Sequence, residues 1–261
     1  MYKHCFRIGG HHEMKKTIMT MLAAAVLCAT SWAEAVRPED TEVWEPVPKH
    51  VRPGATFADP PEDAIILFDG ETLNGWESVE GGPAKWIVAN GALTVAPGTG
   101  DIRTTQKFGD VQLHIEWRTA HLPPEKKGQD RGNSGVFLQE RYEVQVLDSF
   151  DNRTYSNGQA GAIYKQHIPL VNASRPAGEW QTYDIVFIAP RFEQDGTLRS
   201  PARMTVFHNG VLIHHDVELR GTTTYIGEPS YEPHGDGALR LQDHGHIVSF
   251  RNIWVRKLEG L

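Results

Sequence analysis

The stretch "RYEVQVLDS" (residues 141–149) alternates in polarity along an extended chain. Tyr142, Val144 and Val146 fall on one face, and Glu143, Gln145 and Leu147 on the other. The apolar set points to a core. Glu143 and Gln145 then stand side by side on the open face, and Asp148 falls where the strand ends, placed to turn toward the same rim. Carboxylates and amides arrayed in this way hold hydroxyl groups and can move protons. "ALRLQDHGHIVSFRNIWV" (238–255) has the same character. Leu239 and Leu241 point inward, while Arg240, Gln242 and His244 point outward before a turn at Gly245. Parity puts Asp243 on the core side, where it is expected to brace the turn. Val248, Phe250 and Ile253 then resume an inward face after an irregularity near Arg251-Asn252.

Two neighbouring segments could complete such a surface. In "DRGNSGVFLQ" (130–139), Gly132 and Gly135 flank Asn133-Ser134, a tight lead into a strand that offers backbone N–H groups and an amide. "GAIYKQHIPLVNASRP" (161–176) is a long irregular segment carrying Tyr164, Lys165 and His167, and loops carry function more often than scaffolds do. "VQLHIEWRT" (111–119) sets His114, Glu116 and Arg118 on the polar face of another strand, for which a solvated outer face is the ordinary explanation. His214-His215 are expected at the surface.

The elements that must position these residues read as strands throughout. "IILF" ends in the turn dipeptide Asp69-Gly70. Asn90-Gly91 and Asn209-Gly210 each sit between apolar runs, the strongest short signal for a hairpin. No segment keeps a helical period beyond about two turns. Many short alternating strands separated by turn residues predict an all-β fold, an antiparallel sandwich or barrel.

Composition narrows the function classes. The chain has 261 residues, 39% hydrophobic and 23% charged, with a formal net charge of -7. That is globular composition without a basic stripe, so no nucleic-acid partner is expected. There is no G-x-S-x-G elbow, H-E-x-x-H, phosphate loop or dinucleotide fingerprint. From Met14, "MKKTIMTMLAAAVLCATSWAEA" has a basic start, an apolar run from Ile18 to Ala29 and a small-x-small site at Ser31-Trp32-Ala33. This is the layout of a secretory signal, and the run is too short for a comfortable membrane span. No transmembrane segment is expected, and the residues before Met14 fit an upstream start codon. Export to the periplasm or medium follows. Val26-Leu27 before Cys28 do not suit a lipid-attachment site. The two cysteines, Cys5 and Cys28, both precede the cleavage site, which leaves the mature chain without disulfide or thiolate chemistry. The expected organisation is a signal with its extension over 1–33, a Pro-rich extended lead over 34–62, pinned by Trp44 and Phe57, and a β-sandwich domain over 63–261.

The motifs "ILFDGETLNGW", "GNSGVFLQERYEVQVLDS", "GAIY", "GEWQTYDIVF", "HNGVLI" and "LRLQDHGHIVSFRNIWVR" follow one another in the order of the 3-keto-disaccharide hydrolase family. The chain resembles that family from about residue 63 to 258. The resemblance implies a concanavalin-A-like jelly roll and an activity on glycosides already oxidised at C3. The ketone acidifies the C2 hydrogen, so cleavage could run by C2 deprotonation and elimination. Acid/base hydrolysis by two carboxylates is the other route.

On this resemblance Glu143, Asp148 and His244 are the expected catalytic residues. His244 or Glu143 would be the C2 base and the other the acid, with Asp148 orienting. Arg131, Asn133, Gln145, Tyr164, Lys165 and Gln242 are the expected substrate contacts. No cofactor is required by these residues. A divalent metal ion held by His244 with Glu143 or Asp148 is left open as the electrophile. The partner is a carbohydrate, and the competing reading is a lectin-like module that binds sugar without cleaving it. The oligomeric state is not legible.

Overall fold

The computed structural model describes residues 36–259. The expected signal over 1–33 lies outside the described residues. Of a first unit, Met1–Lys49, the described part carries one 3-10 turn at Pro38–Thr41 and is exposed. Its Trp44 is exposed and donates to Glu42 Oε2 within the same unit.

The second unit, His50–Leu261, holds all the described strands. They are β1 (Ile65–Phe68), β2 (Trp76–Ser78), β3 (Ile87–Ala89), β4 (Ala92–Thr94), β5 (Ile102–Phe108), β6 (Val111–Thr119), β7 (Ser134–Leu138) and β8 (Tyr142–Val146). There follow β9 (Gln181–Ile188), β10 (Arg191–Phe192), β11 (Leu198–Ser200), β12 (Arg203–His208), β13 (Val211–Glu218), β14 (Gly237–Leu241) and β15 (Val248–Lys257). One sheet runs β13-β12-β9-β6-β15-β4-β3, with β1 also paired to β15. The other runs β2-β5-β14-β7-β8, and β10-β11 form a small ribbon. Every pairing is antiparallel. The fold is the expected antiparallel sandwich.

Alternation builds the core. Tyr142, Val144 and Val146 of β8 and Leu239 and Leu241 of β14 face Leu113, Ile115, Tyr183, Ile185 and Phe187 of the larger sheet in one buried cluster. Tyr142 and Phe187 meet across the two layers with ring centroids 5.5 Å apart. Tyr183 Oη donates to Gln145 O at 2.6 Å, a buried tie between the sheets. The hairpins read at Asn90-Gly91 and Asn209-Gly210 are present, and all four residues have positive φ. That is the geometry the right-handed twist of a two-residue turn demands. The turn between β7 and β8 uses Gln139 and Glu140, also at positive φ. Two side-chain ties hold it: Gln139 Nε2 donates to Phe108 O, and Glu140 pairs with Arg103. Val248, Phe250 and Ile253 are buried, and a bulge falls between Arg251 and Trp254 as expected.

Three expectations need correction. Phe57 does not pin the lead: it is 99% exposed. The tie is a backbone oxygen, Ala58 O, which accepts from Asn252 Nδ2 and Trp254 Nε1. His214 is buried, its Nε2 2.8 Å from Gly161 O; only His215 reaches the surface. Nor is the polar face of β6 simply solvated. His114 is 2% exposed, stacked on Trp254, with Nδ1 2.7 Å from Asp184 Oδ1 and Nε2 beside Asn252 and Glu116. Arg251 donates to Glu116 at 2.6 Å and lies with Arg118 against the Trp180 ring.

This cluster couples stability to pH. Burial pushes the His114 imidazole down, but its hydrogen bonds to Asp184 and Glu116 and their charges outweigh this and raise it from 6.5 to about 9. A raised folded pKa gives stability that is complete below 6.5 and is lost as pH rises through about 9. Urea unfolding across that window should lose stability on the order of 3 kcal/mol at most. His114→Gln should flatten that slope; an unchanged slope contradicts the assignment.

Candidate active site

The outer face of the smaller sheet carries two rows of side chains. Cross-strand pairing aligns Glu77, Arg103, Arg240, Phe137 and Glu143 across β2, β5, β14, β7 and β8. The next row sets Gly135 opposite Gln145, with Gln242 N–H donating to Gly135 O. Gly135 leaves a hollow in this floor. A Cβ there would lie 2.5 Å from Glu143 Oε1 and 2.6 Å from the Phe137 ring, so the Glu143 carboxyl occupies the space a side chain would need. Arg240 covers the other side of Phe137, its guanidinium 3.7 Å from the ring centroid.

Two segments close the free edge of β8. Tyr164 N–H donates to Glu143 O, Gln145 N–H to Ala162 O, and Gly161 N–H to Gln145 O. The irregular 155–167 segment is therefore held in register along the strand and sets Tyr164 beside Glu143. From the 220–236 segment, Thr223 N–H donates to Arg141 O, and Thr223 Oγ1 accepts from Glu143 N–H. Along the far wall Gln145 Nε2 donates to Asn133 Oδ1 at 2.8 Å, and Asn133 Nδ2 donates to Gln129 O at 3.1 Å.

The result is a cleft of about 230 Å³ lined by Gln129, Asn133, Phe137, Glu143, Gln145, Tyr164, Thr223, Tyr225, Gln242 and His244. Six residues expected from sequence come together here: Asn133, Glu143, Gln145, Tyr164, Gln242 and His244. Glu143 is 4% exposed, less open than its face of the strand implied. Burial pushes its carboxyl from 4.5 up to about 8; Arg240 opposes this and Asp101 adds to it. His244 is exposed at the rim, stacked parallel on His246 at 6.0 Å. Asp243 braces the turn as expected, accepting from Gly245 N–H and Gly100 N–H.

Three expected residues are not brought to this cleft. Asp148 donates its N–H to Arg131 O as the chain leaves β8, and its carboxylate is buried in an ion pair with the Arg131 guanidinium. Arg131 Nε donates to Asp148, and neither residue lines the cleft, so the structure does not bring Asp148 or Arg131 to the place expected of an orienting group and a sugar contact. Lys165 lies beyond Tyr164, over the ring of Tyr225, and lines an adjoining cavity. Among the described residues no group of three or more His, Cys, Asp or Glu side chains is arranged to hold a metal ion. With Asp148 withdrawn, the suggested ligand set reduces to Glu143 and His244.

Sequence reading passed over Gln129, Phe137, Thr223 and Tyr225. Phe137 had a signal, because it shares the parity of Gly135 on β7. Thr223 and Tyr225 sit in "TTTYIGEPSYEP", which has no period to read.

The hollow makes a direct prediction. Gly135→Ala should destabilise the fold by about 1–3 kcal/mol through overpacking. Part of that loss should disappear when Glu143 is cut back to Ala, because the two changes compete for one space. Urea midpoints of the two single variants and the double variant measure the coupling, and additive effects contradict the shared space.

Residues 63–256 match the family described as a 3-keto-alpha-glucoside-1,2-lyase-like domain. A 3-keto-disaccharide hydrolase from Bacteroides thetaiotaomicron is 26% identical over 244 residues, covering 75% of this chain and 78% of the relative. A crystal structure of a candidate glycosyl hydrolase from Parabacteroides distasonis is 49% identical, with a TM-score of 0.81, covering 86% of this chain and 98% of that one. A second structure from that organism, at 22% identity and a TM-score of 0.57, covers 76% of this chain and 95% of its own and shares the fold. The motifs that carried the resemblance thus lie inside a match spanning the sandwich, and the chain belongs to the 3-keto-alpha-glucoside-1,2-lyase-like domain family.

Proposed function

We propose that this protein cleaves glycosides oxidised at C3 of the sugar, by proton abstraction from C2 followed by elimination at C1. One observation carries this reading: among the described residues the cleft is lined by a single carboxylate, Glu143, buried and held over the Gly135 hollow. Hydrolysis of an unoxidised glycoside by acid and base needs two carboxylates across the bond, roughly 5–9.5 Å apart. A C3 ketone lowers the demand to one base of suitable strength. Burial supplies that strength, since a carboxyl pushed up to about 8 is far more basic than a solvated one.

Glu143 takes the C2 hydrogen as a proton, and the bonding pair moves onto the C3 oxygen as an enediolate. The pair then returns, forms the C1–C2 double bond and expels the glycosidic oxygen, which takes a proton from His244. Water adding across the double bond makes the outcome a net hydrolysis. Gln145, Asn133 and Gln242 present amides to the ring hydroxyls, and Tyr164 covers the carboxyl side. No step is routed through a metal. Relatives named for a 3-keto-disaccharide hydrolase and a glycosyl hydrolase support the substrate class. We also read residues 14–33 as an export signal, so the mature chain should begin at Glu34 when its N-terminus is sequenced from the exported fraction.

Turnover of a 3-keto-glucoside tests the reading. Glu143→Gln should lower kcat/KM about 100- to 10,000-fold. Because the base acts as the carboxylate, wild-type kcat/KM should rise with pH through about 8. A kcat/KM that does not change with pH through that range would contradict Glu143 as the titrating base. Binding without release of sugar would make the protein a lectin-like module instead.

A further inference from the structure

In the row Glu77, Arg103, Arg240, Phe137 and Glu143, every charged side chain but Glu143 has a partner of opposite sign. Arg103 on β5 donates to Glu77 on β2 at 2.9 Å and to Glu140 at 3.0 Å. Arg240 on β14 donates to Asp101 at 3.0 Å, and Asp101 Oδ1 in turn accepts the Asp243 N–H at 2.8 Å. Arg240 nevertheless keeps one buried donor, its Nε–H, without an acceptor. Among the described residues no hydrogen bond or ion pair reaches the Glu143 carboxyl. The other ionisable groups around the cleft are the phenols of Tyr155, Tyr164 and Tyr225, the Lys165 ammonium bonded to Tyr225 O, and His244 at the rim. An unmet donor thus sits two strands from an unmet carboxyl. Distance alone does not keep them apart, because two strand spacings are roughly 9–10 Å. Arg103 closes such a span, reaching past β14 to Glu140 in the turn after β7.

Phe137 stands on the strand between them, paired with Arg240 on one side and Glu143 on the other. The guanidinium lies over the face of its ring, 3.7 Å from the centroid. The carboxyl meets the ring at an edge: Glu143 Oε1 and Phe137 Cε2 are the two atoms nearest the point where a Gly135 Cβ would stand. A ring is electron-rich on its face and electron-poor at its edge, so one phenyl group suits a cation and a carboxylate at once. Phe137 is buried, yet it does not belong to the apolar cluster between the sheets. We infer that Phe137 is a spacer that keeps Glu143 out of an ion pair with Arg240, while Asp101 holds the guanidinium on the far face of the ring. Phe137 is then a positioning residue that acts through Glu143. The inference rests on the function proposed above in taking Glu143 as a base. An ion-paired carboxylate is a poor base, since an opposite charge within about 4–6 Å lowers its proton affinity roughly ten- to a thousandfold.

Carbon-13 NMR of the Glu143 carboxyl, assigned by its disappearance in Glu143→Gln, follows its titration without any substrate. Wild type should titrate at about 8. In Phe137→Ala the midpoint should fall by about 1–3 pH units as the ion pair forms. Water entering the gap would also lower it, so Arg240→Met is read in both backgrounds. It should raise the midpoint by about one pH unit more in Phe137→Ala than in wild type, a tenfold difference in proton affinity. An equal effect in the two backgrounds, or no fall in Phe137→Ala, overturns the spacer. Should either variant fail to fold, Phe137→Val and Arg240→Gln read the same cycle, with a smaller difference of the same sign. Unequal effects without turnover of a 3-keto-glucoside by wild type support the spacer and overturn the proposed function. Turnover with equal effects overturns the spacer alone.

Discussion

A side chain at position 135 and the carboxyl at position 143 compete for one space on the floor of the cleft, because a Cβ at Gly135 would lie 2.5 Å from Glu143 Oε1. The packing of this part of the smaller sheet's outer face follows from that competition. In an antiparallel sheet, residues opposite one another on a face are in contact, so a glycine in one row opens a space that the neighbouring row can fill. The chain fills it with a carboxyl and stacks Phe137 and Arg240 beside it. The requirement at Gly135 is for space and not for an unusual backbone, since its φ is not positive. Burial in this hollow also sets the chemistry of Glu143, because desolvation disfavours the charged form.

A sandwich usually leaves its outer faces to water. Here the free edge of β8 is paired instead with an irregular segment, and its backbone hydrogen bonds fix Ile163 and Tyr164 as firmly as a strand would. The edge is thereby protected from pairing with other chains. The same hydrogen bonds convert an open sheet face into a cleft with a roof of tyrosines. The larger sheet shows the other use of a polar face. His114, Glu116, Asp184, Arg251 and Asn252 satisfy one another under the Ala58 carbonyl, and that network ties the Ala58 segment to the larger sheet within the second unit. Similar residue types on two strands thus hold structure in one sheet and line a cleft in the other. What separates them is that the smaller sheet leaves a cavity beside them.

Much of this was legible from period alone. A period of two assigned Tyr142, Val144 and Val146 inward and Glu143 and Gln145 outward, and the same parity placed Gln242 and His244 on one face with them. Asn-Gly pairs located two hairpins because few other residues accept positive φ at both positions. The illegible parts depend on contacts distant in sequence. Asp148 has the position of a rim residue by its place at the strand end, but Arg131 pairs with it, and no local pattern announces an ion pair across 17 residues. Thr223 and Tyr225 reach the cleft from a segment without alternation, carried there by hydrogen bonds to β8. Phe57 looked like an anchor by its hydrophobicity, whereas the anchor is the neighbouring carbonyl, which every residue possesses. The family resemblance supplied the substrate class that parity could not, because alternation tells which side chains share a face and not what they meet there.

The account turns on one event, the removal of the C2 hydrogen by Glu143. Exchange of that hydrogen can be followed directly by incubating a 3-keto-glycoside in heavy water and reading deuterium at C2 of recovered substrate and products by NMR. Wild type should introduce deuterium at C2, and Glu143→Gln, still folded, should not. Cleavage by wild type with no deuterium at C2 of either recovered substrate or product, or undiminished exchange in Glu143→Gln, would contradict it.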